Sequence, residues 1–384
     1  MSTDSPRTTH LLVIGGGPYA LSTAALARDR GIETTVVGRP MGFWREHMPD
    51  GMFLRSGPDW HLDASGVHTL EAYLEERGIA AEDVDPIPIA LFVEYADWFR
   101  RAKGIEAGED LVSRLASDDG RFEATLRSGD TIRADAVVAA PGVAHFTNVP
   151  RWAAALGPSS AAHTCDLVRF DDLRGARVLI VGGRQSAYEW AALAVEAGAE
   201  RIDVVHRHEV PRFERVSWRF VDAHVDDTMR VRGWWRHLPK NEQEAIAGRF
   251  WEVGRLTLEH WLTPRLDMPF VRRRPGSEVV EAALNGAGTV KVRLSGGERL
   301  EADRVICATG YKADLARVPY LAGVLDRVDV VSGFPALDEG FGSSLDGLYF
   351  PGFAATRDFG PFFGFVKASP AAASLIVDDL LARA

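Results

Sequence analysis

Short apolar runs alternate along the chain with Ala/Leu-rich stretches of helical spacing, and glycine stands at the junctions between them. Leu11 to Ile14 is an apolar run closed by glycine, the pattern of a strand buried on both faces. A glycine turn follows, then an Ala/Leu-rich helix from Leu21 to Arg30 and a strand from Glu33 to Val37. Helical stretches around Leu70 to Arg77 and Val93 to Lys103 come next. Leu111 to Leu115, Phe122 to Arg127 and Thr131 to Arg133 are separated by the turn signals Asp118-Asp119-Gly120 and Ser128-Gly129-Asp130, which predicts a small antiparallel meander. Ala136 to Ala140 reads as a strand ending at Pro141-Gly142.

The pattern then restarts. Arg177 to Val181 is a strand, Gly182-Gly183-Arg184 a turn, Ser186 to Ala197 a helix and Arg201 to Val205 a strand. Val279 to Ala283, Val290 to Leu294 and Glu298 to Leu300 repeat the meander, and Arg304 to Ala308 repeats the strand that leads to glycine. Such an internal repeat is harder to obtain by chance than one glycine motif. It predicts an α/β fold of two Rossmann-like dinucleotide-binding domains, each with a small antiparallel β meander. The first would take residues 1–170 and 301–384 and the second 171–300. The tail carries a strand, Leu348 to Pro351, and a final helix, Ser369 to Ala382.

A helical insertion at about 210–274 falls outside the repeat and holds Trp218, Trp234, Trp235, Trp251 and Trp261. Asn241 to Leu262 has helical apolar spacing. The insertion reads as the cover of a ligand cleft, with packing or a homodimer contact as the other use of its aromatic residues.

Composition removes some classes. A net charge of -10 argues against a nucleic-acid binder. Cys165 and Cys307 form no CxxC pair, which excludes a redox dithiol of that type and fits reduced thiols in a cytoplasmic protein. The start, Met1 to His10, is polar, and the apolar run from Leu11 to Ala27 is broken by glycines and a proline. That run reads as strand, turn and helix, not as a signal peptide or membrane span.

The first turn, Gly15-Gly16-Gly17-Pro18-Tyr19-Ala20, suits the pyrophosphate of FAD. Backbone N–H groups and the helix dipole at a helix start favour negative charge. Gly15 permits the tight turn, Gly17 lets phosphate approach, and Ala20 is the small residue where helix meets strand. The acid that usually ends the second strand is replaced by Val37-Gly38-Arg39, so adenosine-ribose binding is expected to use Arg39 or backbone groups.

Gly42-Phe43-Trp44, Met48-Pro49 and Leu54-Arg55-Ser56 resemble the flavin-proximal segment of the class B flavin monooxygenases. That group comprises the flavin-containing, Baeyer–Villiger and N-hydroxylating enzymes. Trp44 would supply an apolar wall and Arg55 a cation near the ring. Val181 to Ala187, with Gln185-Ser186-Ala187 and Glu189, is similar to the family's second dinucleotide turn, except that Arg184 stands in place of the phosphate-approach glycine. Arg207 is placed to meet a 2'-phosphate, which favours NADPH. Ala308-Thr309-Gly310-Tyr311 matches the family's return crossing between domains, and Gly347 to Gly352 with Phe359-Gly360-Pro361 resembles its last FAD contact. Gly142 and Gly352 are counted with the FAD contacts, and Gly182 and Gly183 with the coenzyme contacts. His206 and His208 lack a third ligand at useful spacing, so no metal is expected.

The resemblance runs from about His10 to the final helix, in scattered short motifs. It implies a flavin- and NADPH-dependent monooxygenase acting on a small organic substrate with dioxygen, through a flavin C4a-hydroperoxide. N- or S-oxygenation or hydroxylation is favoured. Baeyer–Villiger oxidation is weakened, because the stretch from Leu156-Gly157 to His163-Thr164 has too long a Gly-to-His spacing and Leu167 replaces the fingerprint's aromatic residue. An FAD-dependent reductase or oxidase and a non-enzymatic flavin protein remain the other readings. The flavin would carry the chemistry, so no acid–base triad is required.

Overall fold

The computed structural model describes residues 7–286 and 288–383; the first six residues of the polar stretch Met1 to His10 lie outside the described residues. Two sheets, one mixed and one all parallel, are built on the two glycine turns. In the first, Arg7–Ile14 lies between Thr34–Val37 and Thr131–Ala139, parallel to both. Ala107–Gly108 extends the sheet on one side, and the antiparallel strands Arg121–Leu126 and Val112–Asp118 extend it on the other. The first glycine turn leaves the C-terminal end of Arg7–Ile14, where the neighbouring strands diverge in chain order. That is the place at which open α/β sheets bind ligands.

Thr131 to Arg133 and Ala136 to Ala140, expected as two strands, form one, Thr131–Ala139. Its first half pairs with Arg121–Leu126 and alternates between buried and open positions. Its second half pairs in parallel with Leu348–Tyr349 and is buried throughout. Alternation belongs to a sheet with one solvated face and continuous burial to a sheet covered on both. The change of pattern within one strand therefore looks like a break.

The second sheet has five parallel strands in the order Val271–Arg274, Arg201–Val205, Arg177–Val181, Arg304–Cys307 and Ala161–His163. Two of these, Ala161–His163 and Arg304–Cys307, lie outside the 171–300 span expected for the second domain. Ala161–His163 is three residues long and has no β-branched residue, so it carries no strand pattern in the sequence. The second meander, Val279–Leu284, Val290–Leu294 and Arg299–Ala302, forms a separate sheet.

The insertion carries the helices Phe220–Arg230, Trp234–His237 and Lys240–Arg255. The last stops at Arg255 and does not run on to Leu262. Thr257–Leu258 leaves the helix to pair with Arg212–Phe213, and this parallel pair ties the ends of the helical part together. Trp218, Val221, Val225, Trp235 and Phe250 are buried in the same core as the first sheet, so the insertion is packed onto the first domain. The final helix, Ser369–Arg383, lies against Pro18–Asp29, where alanines on both permit close approach. Among the described residues no helix is long and apolar enough to cross a membrane.

Candidate functional site

A cavity of about 680 Å³ begins at the first glycine turn. Its volume falls in the range of small-molecule and cofactor pockets. Gly15, Gly16, Gly17 and Ala20 line one part, and Pro351, Gly352 and Phe353 face them from the tail. Towards one end the wall is Val37, Gly38, Arg39, Glu46, Leu111 to Ser113 and Arg127; elsewhere it includes Trp44, His47, Met48, Gly142, His145, Gly364 and Phe365.

The glycines of the turn have separable jobs. Gly15 has φ +135, and a Cβ there would sit 2.6 Å from the Ala140 carbonyl oxygen. At Gly16 a Cβ would lie 2.2 Å from the Arg39 carbonyl oxygen. At Gly17 a Cβ would meet nothing within 4 Å. Gly17 is the N-cap of Pro18–Asp29, and no side chain caps that helix start. The free N–H groups of a first turn and open space beside them fit a phosphate. The chain therefore fits FAD where the sequence placed its pyrophosphate.

Arg39 and Glu46 form an ion pair at 2.6 Å, and both line the cavity. An acid absent from the end of the second strand thus stands at the cavity from the short helix Gly42–Glu46. Glu46 lies beyond the usual position for that acid, so no local motif marks it. Trp44 packs on Phe92 at 4.9 Å, which holds its ring as a wall. Tyr19 donates its hydroxyl to the carbonyls of Phe363 and Phe365, the latter at 2.7 Å, and so fixes the tail segment that brings Phe365 to the cavity.

Arg55, Ser56 and Gly360 are not among the cavity-lining residues. The Arg55 guanidinium donates to Glu259 at 3.1 Å and to the carbonyls of Gly254 and Thr257, and lies 5.0 Å from the centre of the Trp218 ring. It binds the insertion to the first domain. Gly360 has φ +92 and turns the chain beside Trp235 and Phe362. Arg215, also on the insertion, pairs with Asp85 of the first domain at 3.2 Å.

The second turn repeats the first in backbone detail. Gly182 has φ +136, and a Cβ there would be 2.3 Å from the Ala308 carbonyl oxygen, matching Gly15 and Ala140. A Cβ at Gly183 would be 2.4 Å from the His206 ring. Arg184 occupies the N-cap of Gln185–Glu196 with φ -110, an extended conformation open to any residue, as Gly17 does in the first turn. Its guanidinium carbon lies 3.6 Å from the centre of the Trp251 ring. No acidic group pairs with Arg184 among the described residues, while burial and Arg207 nearby lower its proton affinity. His206 has both ring nitrogens engaged, by Tyr188 at 3.0 Å and the His208 carbonyl at 2.8 Å. Gly310 accepts from Asn148 at 2.9 Å and meets His163 at 3.0 Å, so the return crossing is clamped from two sides. The Tyr311 ring packs edge-on to His163 at 5.2 Å.

His47, Cys165 and Asp166 bring ligand-type atoms within 4.8 Å of one another, a grouping invisible in the sequence. Burial pushes the Cys165 thiol up to about 11, and it shares a hydrogen bond with Tyr311.

Behind the second turn, Gln185 donates to Glu189 at 2.9 Å and accepts from the Glu259 backbone at 3.2 Å. Glu189 is fully buried, and burial pushes its carboxyl up to about 8. Arg265 stands 3.7 Å away but is held more tightly by Glu196 at 2.7 Å, so it offsets that cost only in part. Between the ordinary carboxyl range and about 8, the folded chain holds a proton that the unfolded chain has lost. Stability from this group is complete at low pH and falls as pH rises through that window. Glu189→Gln should therefore flatten the decline of Tm between about pH 5 and 8. An unchanged slope in thermal unfolding would contradict the assignment.

The family model of the pyridine nucleotide-disulphide oxidoreductases matches residues 12–219, more than half of the chain. The chain belongs to that family. Among curated relatives, the ferredoxin–NADP reductase of Gluconacetobacter diazotrophicus is 37% identical over 116 residues, covering 30% of this chain and 34% of that protein. The ferredoxin–NADP reductase of Ralstonia pickettii is 31% identical over 236 residues, 59% of this chain and 57% of that protein. The chain thus spans from about a third to just over half of these relatives. Of solved structures, ornithine N-hydroxylase from Kutzneria sp. 744, with reduced FAD, NADP+ and L-ornithine, superposes with a TM-score of 0.81 at 16% identity, over 98% of this chain and 99% of that one. A flavin-containing monooxygenase from Stenotrophomonas maltophilia gives 0.70 at 16% identity, over 98% and 99%. At these identities the likeness is one of fold.

Proposed function

We propose that the protein is an FAD-dependent, NADPH-using monooxygenase that transfers one oxygen atom of dioxygen to a small organic substrate, with N-oxygenation, S-oxygenation or hydroxylation favoured. The observation that carries this reading is the duplicated turn: two helix starts with the same backbone, one opening on a large cavity and one at Arg184 and the nearby Arg207, which have no acidic partner among the described residues. Full-length fold likeness to N-hydroxylating and flavin-containing monooxygenases supports the oxygenase branch.

The first glycine turn, Gly142, Gly352 and the Arg39–Glu46 pair would hold FAD, with Trp44 and Phe365 walling its cavity. When bound, FAD supplies hydride acceptance from the nicotinamide and the activation of dioxygen. Gly182, Gly183, Arg184, Gln185 and Ser186 would seat the coenzyme pyrophosphate, and Arg207 its 2'-phosphate. The aromatic insertion would exclude water from the reacting centre. It packs Trp218 and Phe250 on Phe365, which lines the cavity, at 5.6 and 5.3 Å between ring centres.

A second reading, an FAD-dependent reductase, is favoured by the ferredoxin–NADP reductases among the sequence relatives. Both readings require NADPH to bleach the bound flavin without oxygen, and absence of bleaching would reject both. Arg207→Ala should weaken NADPH by about ten- to a hundredfold, the worth of a charge-assisted contact, and leave NADH little changed. Equal weakening of the two would remove the 2'-phosphate contact from the account.

A further inference from the structure

His47, Cys165 and Asp166 form a group that neither glycine turn uses, and its donor set is that of a metal centre. One imidazole, one thiol and one carboxylate bring ligand atoms within 4.8 Å of one another. Imidazole nitrogen, thiolate sulfur and carboxylate oxygen are the ligands of zinc. Bond lengths of about 2.0 to 2.3 Å would put the ligand atoms of one tetrahedral ion roughly 3.3 to 3.8 Å apart, so the gap to close is on the order of 1 Å. Asp166 is exposed, and rotation of its side chain spans such a gap.

The surroundings hold these side chains as metal ligands are held. The His47 ring meets the Cys165 carbonyl oxygen through Nδ1 at 2.8 Å. A carbonyl only accepts, so the ring proton sits on Nδ1 and the imidazole is the neutral form that a metal requires. The Cys165 sulfur shares a hydrogen bond with the Tyr311 hydroxyl, a group able to donate to a thiolate. His163 fixes the Cys165 backbone from behind. Its Nδ1 accepts from the Cys165 N–H at 3.1 Å, and its Nε2 meets the Gly310 carbonyl at 3.0 Å. The Asp166 carboxylate makes no hydrogen bond or salt bridge among the described residues. Cys165 is 2% exposed, and burial keeps its thiol protonated at neutral pH. An entering ion displaces that proton to solvent and leaves a metal-bound thiolate.

The three residues come from both halves of the molecule. His47 follows the short helix Gly42–Glu46 and lines the flavin cavity. Cys165 and Asp166 follow Ala161–His163, the edge strand of the second sheet. His47 and Cys165 are 118 residues apart, so no spacing motif marks the group. We propose that His47, Cys165 and Asp166 form a zinc site, completed by water, that clamps the edge of the second sheet to the wall of the flavin cavity. Zinc binding here goes beyond the oxygenase reading and is independent of whether the flavin transfers oxygen or electrons.

Cobalt reports on such a site, because its ligand-field bands fall to the red of flavin absorbance. Flavin-loaded protein without a histidine tag, freed of metal by a chelator, is titrated with cobalt chloride. Saturable bands at one equivalent per chain are expected. Zinc should remove them, and excess magnesium, which prefers oxygen ligands, should leave them unchanged. The cobalt Kd should rise at least tenfold in Asp166→Asn and in Cys165→Ser. Zinc should raise the Tm of the wild type, as a ligand of the folded state does, and at the same concentration should leave both variants unmoved. Asp166 is exposed, so Asp166→Asn keeps the test decisive if Cys165→Ser does not fold. Absence of saturable bands in the wild type, unchanged cobalt affinity in Asp166→Asn, or a wild-type Tm that zinc does not move would overturn the proposal.

Discussion

Gly17→Val is expected to give a folded protein that purifies without flavin. The folded chain has room for the side chain. A Cβ at Gly17 meets nothing within 4 Å, and φ of -85 is accessible to any residue. Exchanging an N-cap glycine for valine costs the helix on the order of 1 kcal/mol, which a domain of this size tolerates. The space that valine would fill is the approach to the uncapped helix start, where a phosphate must come within hydrogen-bonding distance of the backbone. Gly15→Val behaves differently: φ of +135 and the Ala140 carbonyl at 2.6 Å make it a folding defect. Flavin absorbance per mole of protein, read beside circular dichroism, separates the two variants. Full flavin occupancy in Gly17→Val would remove the pyrophosphate from the first turn.

Arg184→Gly should raise the Kd for NADPH by about ten- to a hundredfold, the worth of one charge-assisted contact to a phosphate. Two forecasts compete here. A side chain that blocks the turn would make the glycine variant bind more tightly. The geometry favours pairing, because the Arg184 backbone is unstrained and its guanidinium rests on Trp251 with no acid to hold it elsewhere among the described residues. A cation–π contact at a half-exposed ring contributes about 0.5–1 kcal/mol, less than the 1.5–3 kcal/mol of a charged hydrogen bond, so a phosphate can draw the group away. Tighter binding and faster anaerobic bleaching in the glycine variant would contradict this.

Much of the fold was legible because each glycine turn must solve the same steric problem. Gly15 against Ala140 and Gly182 against Ala308 leave no space for a side chain, so the residue type announces the geometry. Glu46 and Phe365 were not legible, since they reach the cavity from a short helix and a tail segment placed by Tyr19. Arg55 was misleading for a related reason. Its motif suggested a place beside the flavin, while a buried carboxylate 204 residues away, Glu259, captures it. Long-range pairing of this kind leaves no local pattern, whereas turns and buried strands do.

As a monooxygenase, this chain would hold FAD at the first glycine turn, where the flavin would supply oxygen transfer to a substrate and not only electron transfer. That transfer is tested most directly by rapid mixing of the NADPH-reduced protein with oxygenated buffer while the visible spectrum is recorded. A long-lived absorbance to the blue of oxidised flavin is expected, persisting for seconds before the oxidised spectrum returns. Immediate return of the oxidised spectrum, with one hydrogen peroxide released per flavin, would contradict it and place the protein with the reductases.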